Sequence, residues 1–334
     1  MGAQLSQVFP PRPGFTEKDL PPAEGRVFLI TGGTSGIGFE LAKILYRHGG
    51  KVYITGRTED KAQDAIRAIQ ASVPNPNGQL DYIVLELDDL RSIKASADDF
   101  KAKESKLDVL WNNAGRSQPP LGSVSKQGHE LQLAVNCLGP FLLTQMLLPL
   151  LEAASSPSTS TSTSTASGSP ASAPPRVIWT SSQMAELSSP PEGIIMRELT
   201  NPPKDNVRNY TNSKTGNWFL SAEFAQRYGN RGIISVAVNP GASNSNLFRT
   251  ARLIKFFSYP VLYKPERNAH TDIYAGFSLD ISLQNNGCYI IPFGRIHTSM
   301  AERLLAATRV VEDGGTGRAM EFWEFCEDRV KDYY

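Results

Sequence analysis

The chain has 334 residues, 40% hydrophobic and 20% charged, which is ordinary for a soluble globular protein and enough to bury a sizeable core in one large domain or two. Thirty-four basic side chains against 33 acidic ones leave a formal charge of +1 with no basic block, which argues against a nucleic-acid partner. Cys137, Cys288 and Cys326 are widely scattered and only four histidines occur, so neither a disulfide framework nor a metal site is expected.

Residues 1–24 form an N-terminal extension rich in proline and polar groups, expected to wrap the surface or stay mobile. They lack the basic-then-apolar profile of a signal peptide. The opening MGAQLS fits the Gly2-x-x-x-Ser6 pattern for N-myristoylation, and one such chain would anchor a protein only weakly. The expectation is therefore a cytoplasmic protein with at most peripheral membrane association.

From Val27 onward, short apolar or β-branched runs alternate with helical patterns. Val27–Thr31, Lys51–Thr55, Asp81–Leu87, Val109–Trp111, Arg176–Thr180 and Ile233–Val238 read as strands. Gly38–Arg47, Thr58–Ala71, Arg91–Ser105 and Glu130–Leu151 read as helices. Such alternation predicts an α/β fold, a doubly wound parallel sheet of Rossmann type in a single domain, residues 25–334. The most apolar stretch, Ala134–Leu151, contains Asn136, Pro140, Thr144, Gln145 and Pro149, which suits a buried helix better than a membrane span. Ala154–Pro175 is almost all Ser, Thr, Pro and Ala, has little to bury, and reads as a disordered insertion within the domain rather than a linker between two.

The first strand runs into Gly32, Gly33, Gly36 and Gly38 and then a helix. That arrangement aims free backbone N–H groups and a helix dipole at a phosphate. The spacing is G-x-x-x-G-x-G, and the Gly-Lys-Ser/Thr ending of an ATP-type loop is absent. After the second strand, an acidic residue would serve the ribose hydroxyls of NAD, whereas an arginine suits the 2′-phosphate of NADP. Here Arg57 occupies that place, Lys61 follows one helical turn on, and Thr34 and Ser35 offer hydroxyls from the glycine turn. NADP(H) is the expected cofactor.

YTNSK sets Tyr210 and Lys214 four apart, on one face of a helix. A neighbouring ammonium favours the phenolate, so Lys214 is expected to lower the Tyr210 pKa from about 10. WNNAG (Trp111–Gly115), VNCLG (Val135–Gly139), RVIWTSS (Arg176–Ser182) and NPG (Asn239–Gly241) accompany the pair in chain order. Together these motifs resemble the short-chain dehydrogenase/reductase family from about Gly25 to at least Leu247, with the texture of its retinol-dehydrogenase-like branch and fungal relatives.

The resemblance implies a role for each matching position. Thr31, Gly32, Gly36, Ile37 and Gly38 match the cofactor turn. Asn113, Ala114 and Gly115 match the segment beside the adenosine half. The acidic position near the adenine falls in Glu86–Leu87, with Asp88 as the alternative. Asn136 matches the asparagine that holds a water in the proton relay, although it also reads as a helix-kink residue. Ser182 matches the serine that hydrogen-bonds the substrate carbonyl, with Ser181 as the alternative. Tyr210 is implied as the acid/base and Lys214 as the ligand of the nicotinamide ribose. Pro240 and Gly241 match the turn against the nicotinamide, followed by Ser243 and by Ser245, where threonine is common. Cys137 and Trp179 read as core.

These roles imply an NADP(H)-dependent oxidoreductase that moves hydride between NADPH and a hydrophobic ketone or aldehyde, or catalyses the reverse alcohol oxidation. The substrate pocket is expected in residues 242–268, which mix apolar and aromatic side chains. A tailoring reductase of secondary metabolism fits that texture. The helical tail Arg318–Tyr334 would cover the pocket or mediate a homo-oligomer. Two other readings are a catalytically silent NADP-binding scaffold and a nucleotide-sugar epimerase or dehydratase, which also uses a Tyr–Lys pair.

Overall fold

The computed structural model describes residues 2–74, 76–155, 173–243 and 262–334. Most of the Ser/Thr-rich insertion, most of the expected pocket segment, and Ser245 lie outside the described residues.

Among the described residues, eight strands form one sheet in the order β3-β2-β1-β4-β5-β6-β7-β8. They are β1 (Val27–Ile30), β2 (Lys51–Gly56), β3 (Gln79–Val84), β4 (Val109–Asn112), β5 (Arg176–Thr180), β6 (Ile234–Val238), β7 (Tyr289–Ile291) and β8 (Arg295–Ile296). All neighbours are parallel except β7 and β8. Strand order reverses between β1 and β4, and the carboxyl ends of strands at such a switch point leave a crevice for a ligand.

The strand sequences are apolar throughout because both faces are covered. Val27 and Leu29 of β1 belong to one core, and Phe28 and Ile30 to the other. Helices α2 (Gly36–Arg47), α3 (Glu59–Ser72) and α7 (Pro265–Phe277) close the second face. Helices α4 (Leu90–Lys103), α5 (Leu131–Ser155), α6 (Asn206–Tyr228) and α9 (Arg318–Val330) close the first, with α8 (Glu302–Thr308) at its margin. Helix α5 is long and apolar enough to cross a membrane, yet most of it is buried inside the fold, as expected for Ala134–Leu151.

Three departures from the sequence reading have physical causes. The third strand was expected to run to Leu87 and stops at Val84, because its partner β2 ends opposite it at Gly56 and turns away. Strands β7 and β8 were not anticipated; they are three and two residues long, too short to display a periodicity. The N-terminal extension does not merely wrap the surface. Residues Gly2–Val8 form helix α1, and Gln7 at its inner face is 2% exposed.

The C-terminal helix α9 takes up the outer side of α5 and α6. Trp323 meets Phe141 edge-on at 4.8 Å and packs near Phe224, while Phe322 lies against Phe219. Its apolar face is thus spent within the chain.

Candidate active site

The glycine turn is shaped by what lies against it. Gly32 has φ +68°, and a Cβ there would stand 3.0 Å from the Ala114 Cα. Both facts require glycine. At Gly38 the backbone is ordinary, but a Cβ would meet Asn113 Nδ2 at 2.5 Å and the Gly32 carbonyl oxygen at 2.8 Å. Hydrogen bonds lock the turn to β4. Asn113 Nδ2 donates to the Thr31 carbonyl at 2.8 Å, and the Ala114 amide donates to Thr31 Oγ1 at 2.9 Å. Asn113 and Ala114 therefore hold the cradle rather than merely flank it.

Helix α2 opens directly from this turn. Ser35 stands at its N-cap without a side-chain cap bond, and no acidic residue lies in the first turn. The positive end of the helix is left for an anion, so the residues present fit a dinucleotide pyrophosphate. Gly36 begins the helix and Ile37 packs on the α2–α7 core. Thr34 lies against Gly56, next to Arg57: a Cβ on Gly56 would be 2.9 Å from Thr34 Cγ2. Arg57 and Lys61 are exposed and form no ion pair among the described residues. Beyond β3, Leu87 is buried under α5, while Glu86 and Asp88 remain half-buried.

Tyr210 and Lys214 lie one turn apart on α6, with the Lys214 Nζ 5.7 Å from the Tyr210 ring centroid. The Ser182 hydroxyl lies near enough to the Tyr210 phenol to favour its ionised form, and it accepts the Met184 amide at 3.3 Å. Adjacent strand residues point to opposite faces, and Ser181 is accordingly buried, its hydroxyl donating to the Lys214 carbonyl at 2.7 Å. Of the two serines, Ser182 is the one beside Tyr210. A Cβ on Gly115 would lie 3.4 Å from both Asn136 Oδ1 and Lys214 Nζ, so Gly115 leaves the space in which these groups converge.

Asn136 sits in a five-residue π-helical stretch, Ala134–Leu138, within α5. Its Oδ1 accepts the Arg116 amide at 2.7 Å, and its Nδ2 donates to the Arg116 carbonyl at 3.0 Å and to Ser213 Oγ at 2.8 Å. The widened turn and the Arg116 backbone are thus tied together. Cys137 is fully buried and its thiol is pushed up by desolvation, as befits core; Trp179 is equally buried, donating to Ser235 Oγ.

The electrostatics correct one expectation. Burial pushes the Tyr210 phenol up to about 12, with the Ser182 hydroxyl a partial offset. Lys214, whose Nζ donates to the Thr180 carbonyl at 2.8 Å, does not offset this: burial brings its ammonium down to about 8, so it has lost its charge before the phenol titrates.

At the end of β6, Asn268 Nδ2 holds the Pro240 carbonyl at 2.6 Å, and Gly241, at φ +87°, leads into Ser243, which is buried and bridged to Tyr263. Tyr289 on β7 went unnoticed in the sequence. Its hydroxyl donates to the Ser182 carbonyl at 2.9 Å and approaches Ser181 Oγ at 3.2 Å, so it fixes the backbone that carries the serine. Nothing near Tyr289 in the chain announces that contact, which exists only because β7 pairs beside β6.

A doubly wound sheet with a phosphate-fitting turn at its switch point, and a half-buried serine and tyrosine with a buried lysine beside it, is the architecture of a dinucleotide-binding oxidoreductase. The profile of a family described as short chain dehydrogenase matches residues 26–173. The short-chain dehydrogenase/reductase iacJ of Pestalotiopsis fici is 40% identical over 96% of this chain and 95% of its own length. The short-chain dehydrogenase/reductase pkfC of Emericella nidulans is 36% identical over 96% and 97%. In fold, the chain resembles the NADPH-bound carbonyl reductase from chicken fatty liver (TM-score 0.58, 21% identity, 83% of this chain and 100% of that one). It also resembles the NADH complex of a Brucella melitensis 3-ketoacyl-(acyl-carrier-protein) reductase (TM-score 0.59, 22% identity, 80% and 96%). The chain belongs to the short-chain dehydrogenase/reductase family, in its fungal form, and is an oxidoreductase of the pyridine-nucleotide-dependent kind.

Proposed function

We propose that the protein is an NADP(H)-dependent carbonyl reductase acting on a hydrophobic ketone or aldehyde. The observation that carries this reading is Lys214 Nζ 5.7 Å from the Tyr210 ring, with the Ser182 hydroxyl neighbouring the phenol, beside a cradle that fits a pyrophosphate. When bound, the dinucleotide supplies or accepts the hydride.

Ser182 donates to the carbonyl oxygen and Tyr210 passes its proton to the same oxygen as negative charge develops there. With its pKa raised to about 12, Tyr210 is protonated at neutral pH, the form that reduction needs and oxidation does not. Lys214, anchored on Thr180, holds the ribose beside the reacting atoms, and Asn136 fixes the Arg116 backbone at the inner end of the group. Glycines 32, 36 and 38 admit the pyrophosphate, with Pro240 and Gly241 facing the nicotinamide. Glu86 or Asp88 faces the adenine.

Arg57 and Lys61 pair with the 2′-phosphate. Both are exposed cations with no carboxylate partner among the described residues, and Thr34 lies against Gly56, the residue before Arg57. A role in tailoring a secondary metabolite draws its support from the fungal origin of the near-full-length relatives.

Two measurements test the proposal. Calorimetric titration with NADPH and NADH should show a preference for NADPH that Arg57→Asp abolishes; a preference for NADH overturns the assignment of Arg57. Tyr210→Phe should lower ketone reduction by about 10²–10⁴-fold while NADPH still binds, and retained turnover overturns the role of Tyr210.

A further inference from the structure

Helix α1 lies across the carboxyl ends of β5, β6 and β7, the same edge that carries Ser182 and Gly241. Three separate segments hold it there. Gln183 Nε2 donates to the Gln4 carbonyl at 3.1 Å, an Arg295 guanidinium nitrogen donates to the Ser6 carbonyl at 2.7 Å, and the Tyr263 hydroxyl donates to the Val8 carbonyl at 3.2 Å. From its inner face Gln7 reaches between two turns of the site. Its Nε2 donates to Glu186 Oε2 at 2.9 Å, and its Oε1 accepts from Asn239 Nδ2 at 2.9 Å.

Each partner is itself tied to a functional turn. Glu186 closes the helical turn Met184–Leu187 that follows Ser182, and its Oε2 also meets His297 Nε2 at 3.1 Å. Asn239 Oδ1 accepts the Gly241 amide at 3.0 Å, which fixes the Asn239–Gly241 turn. Gln7, Glu186, Asn239 and His297 are all buried, so none of these bonds can be exchanged for water. The amide serves both partners, since it offers a donor to the carboxylate at one end and an acceptor to the Asn239 amide at the other.

We infer that Gln7 is a positioning residue of the active site: it clamps the turn after Ser182 to the turn at Gly241, so that helix α1 sets the spacing between the carbonyl-binding hydroxyl and the nicotinamide side. The inference rests on the proposed function for the meaning of the two turns. The clamp itself is a property of the fold and can be tested without turnover.

The test is hydrogen exchange on the full chain, without ligand, comparing wild type with Gln7→Met and Gln7→Glu. Gln7→Met removes both polar ends at similar volume. Exchange should speed by about tenfold or more in peptides covering 183–188 and 239–243, with α6 peptides unchanged. Gln7→Glu keeps the acceptor for Asn239 and sets a second carboxylate against Glu186, so exchange should speed in 183–188 alone. Unchanged exchange at either turn in Gln7→Met, or a rise that spreads equally to α6, overturns the clamp. In a wild type that reduces a ketone, Gln7→Met should lower kcat by about tenfold while KM shifts less than about threefold, because spacing matters most in the transition state. An unchanged kcat overturns the positioning role. A wild type that binds NADPH yet reduces no ketone overturns the proposed function and leaves the exchange result to decide the clamp.

Discussion

Replacing Gly38 with alanine tests the phosphate cradle from inside. The new methyl would stand 2.5 Å from Asn113 Nδ2 and 2.8 Å from the Gly32 carbonyl oxygen, both well inside contact distance. Relief requires Asn113 to leave the Thr31 carbonyl, which it holds at 2.8 Å, or the glycine turn to lift away from β4. Loss of that hydrogen bond costs about 1–3 kcal/mol and overpacking another 1–3 or so, against a gain in helix preference of at most about 1. The net destabilisation is about 1–5 kcal/mol, which in a domain of this size lowers Tm by roughly 2–10 °C. Displacement of the turn should also weaken NADPH binding by about tenfold or more, since the N–H groups no longer converge on the pyrophosphate. Thermal unfolding followed by circular dichroism, with calorimetric titration on the same preparation, reads both quantities. Unchanged Tm together with unchanged affinity would refute the steric argument.

Other expectations follow from buried charge. The Lys214 ammonium titrates near 8 in the fold and near 10.4 in the unfolded chain, so between those values the unfolded state holds the extra proton. Relative to Lys214→Met, wild-type stability should therefore rise from about pH 8 to about pH 10, by up to about 1.4 kcal/mol per unit, while the buried thiols of Cys137, Cys288 and Cys326, all pushed up, pull both proteins the other way. Urea unfolding of Lys214→Met should lack that rise; an identical pH slope in both proteins counts against the burial of the charge. Asp272 on α7 is 1% exposed, neither carboxylate oxygen has a partner among the described residues, and burial pushes it up to about 8. The native state then keeps a proton that the unfolded chain releases near 3.9, and stability is lost as pH climbs from about 4 to about 8. Asp272→Asn should gain on wild type between pH 5 and pH 8, and a pH-independent difference would contradict the assignment.

Much of the site was legible because its parts are local. A glycine turn between a strand and a helix, and a tyrosine and lysine four apart, are set by backbone geometry over a few residues. The choice between Ser181 and Ser182 was not legible, since both directly follow the same strand and only packing against α6 shows which meets Tyr210. The direction of the Tyr210 shift also escaped. Proximity of Lys214 suggested a lowered pKa, whereas burial raises the phenol and takes the charge off Lys214 first.

The order of apolar strands and amphipathic helices determined the doubly wound sheet, because each element must bury its own faces whatever its neighbours are. The glycines determined where a phosphate can approach, because no other residue fits those spaces. Tertiary structure alone decided that Gln7, Glu186, Asn239, Tyr289 and His297 meet at the rim of the site. Their separation along the chain carries no periodicity or spacing. Their partnership arises only when parallel pairing brings the ends of β5, β6 and β7 side by side and helix α1 closes over them.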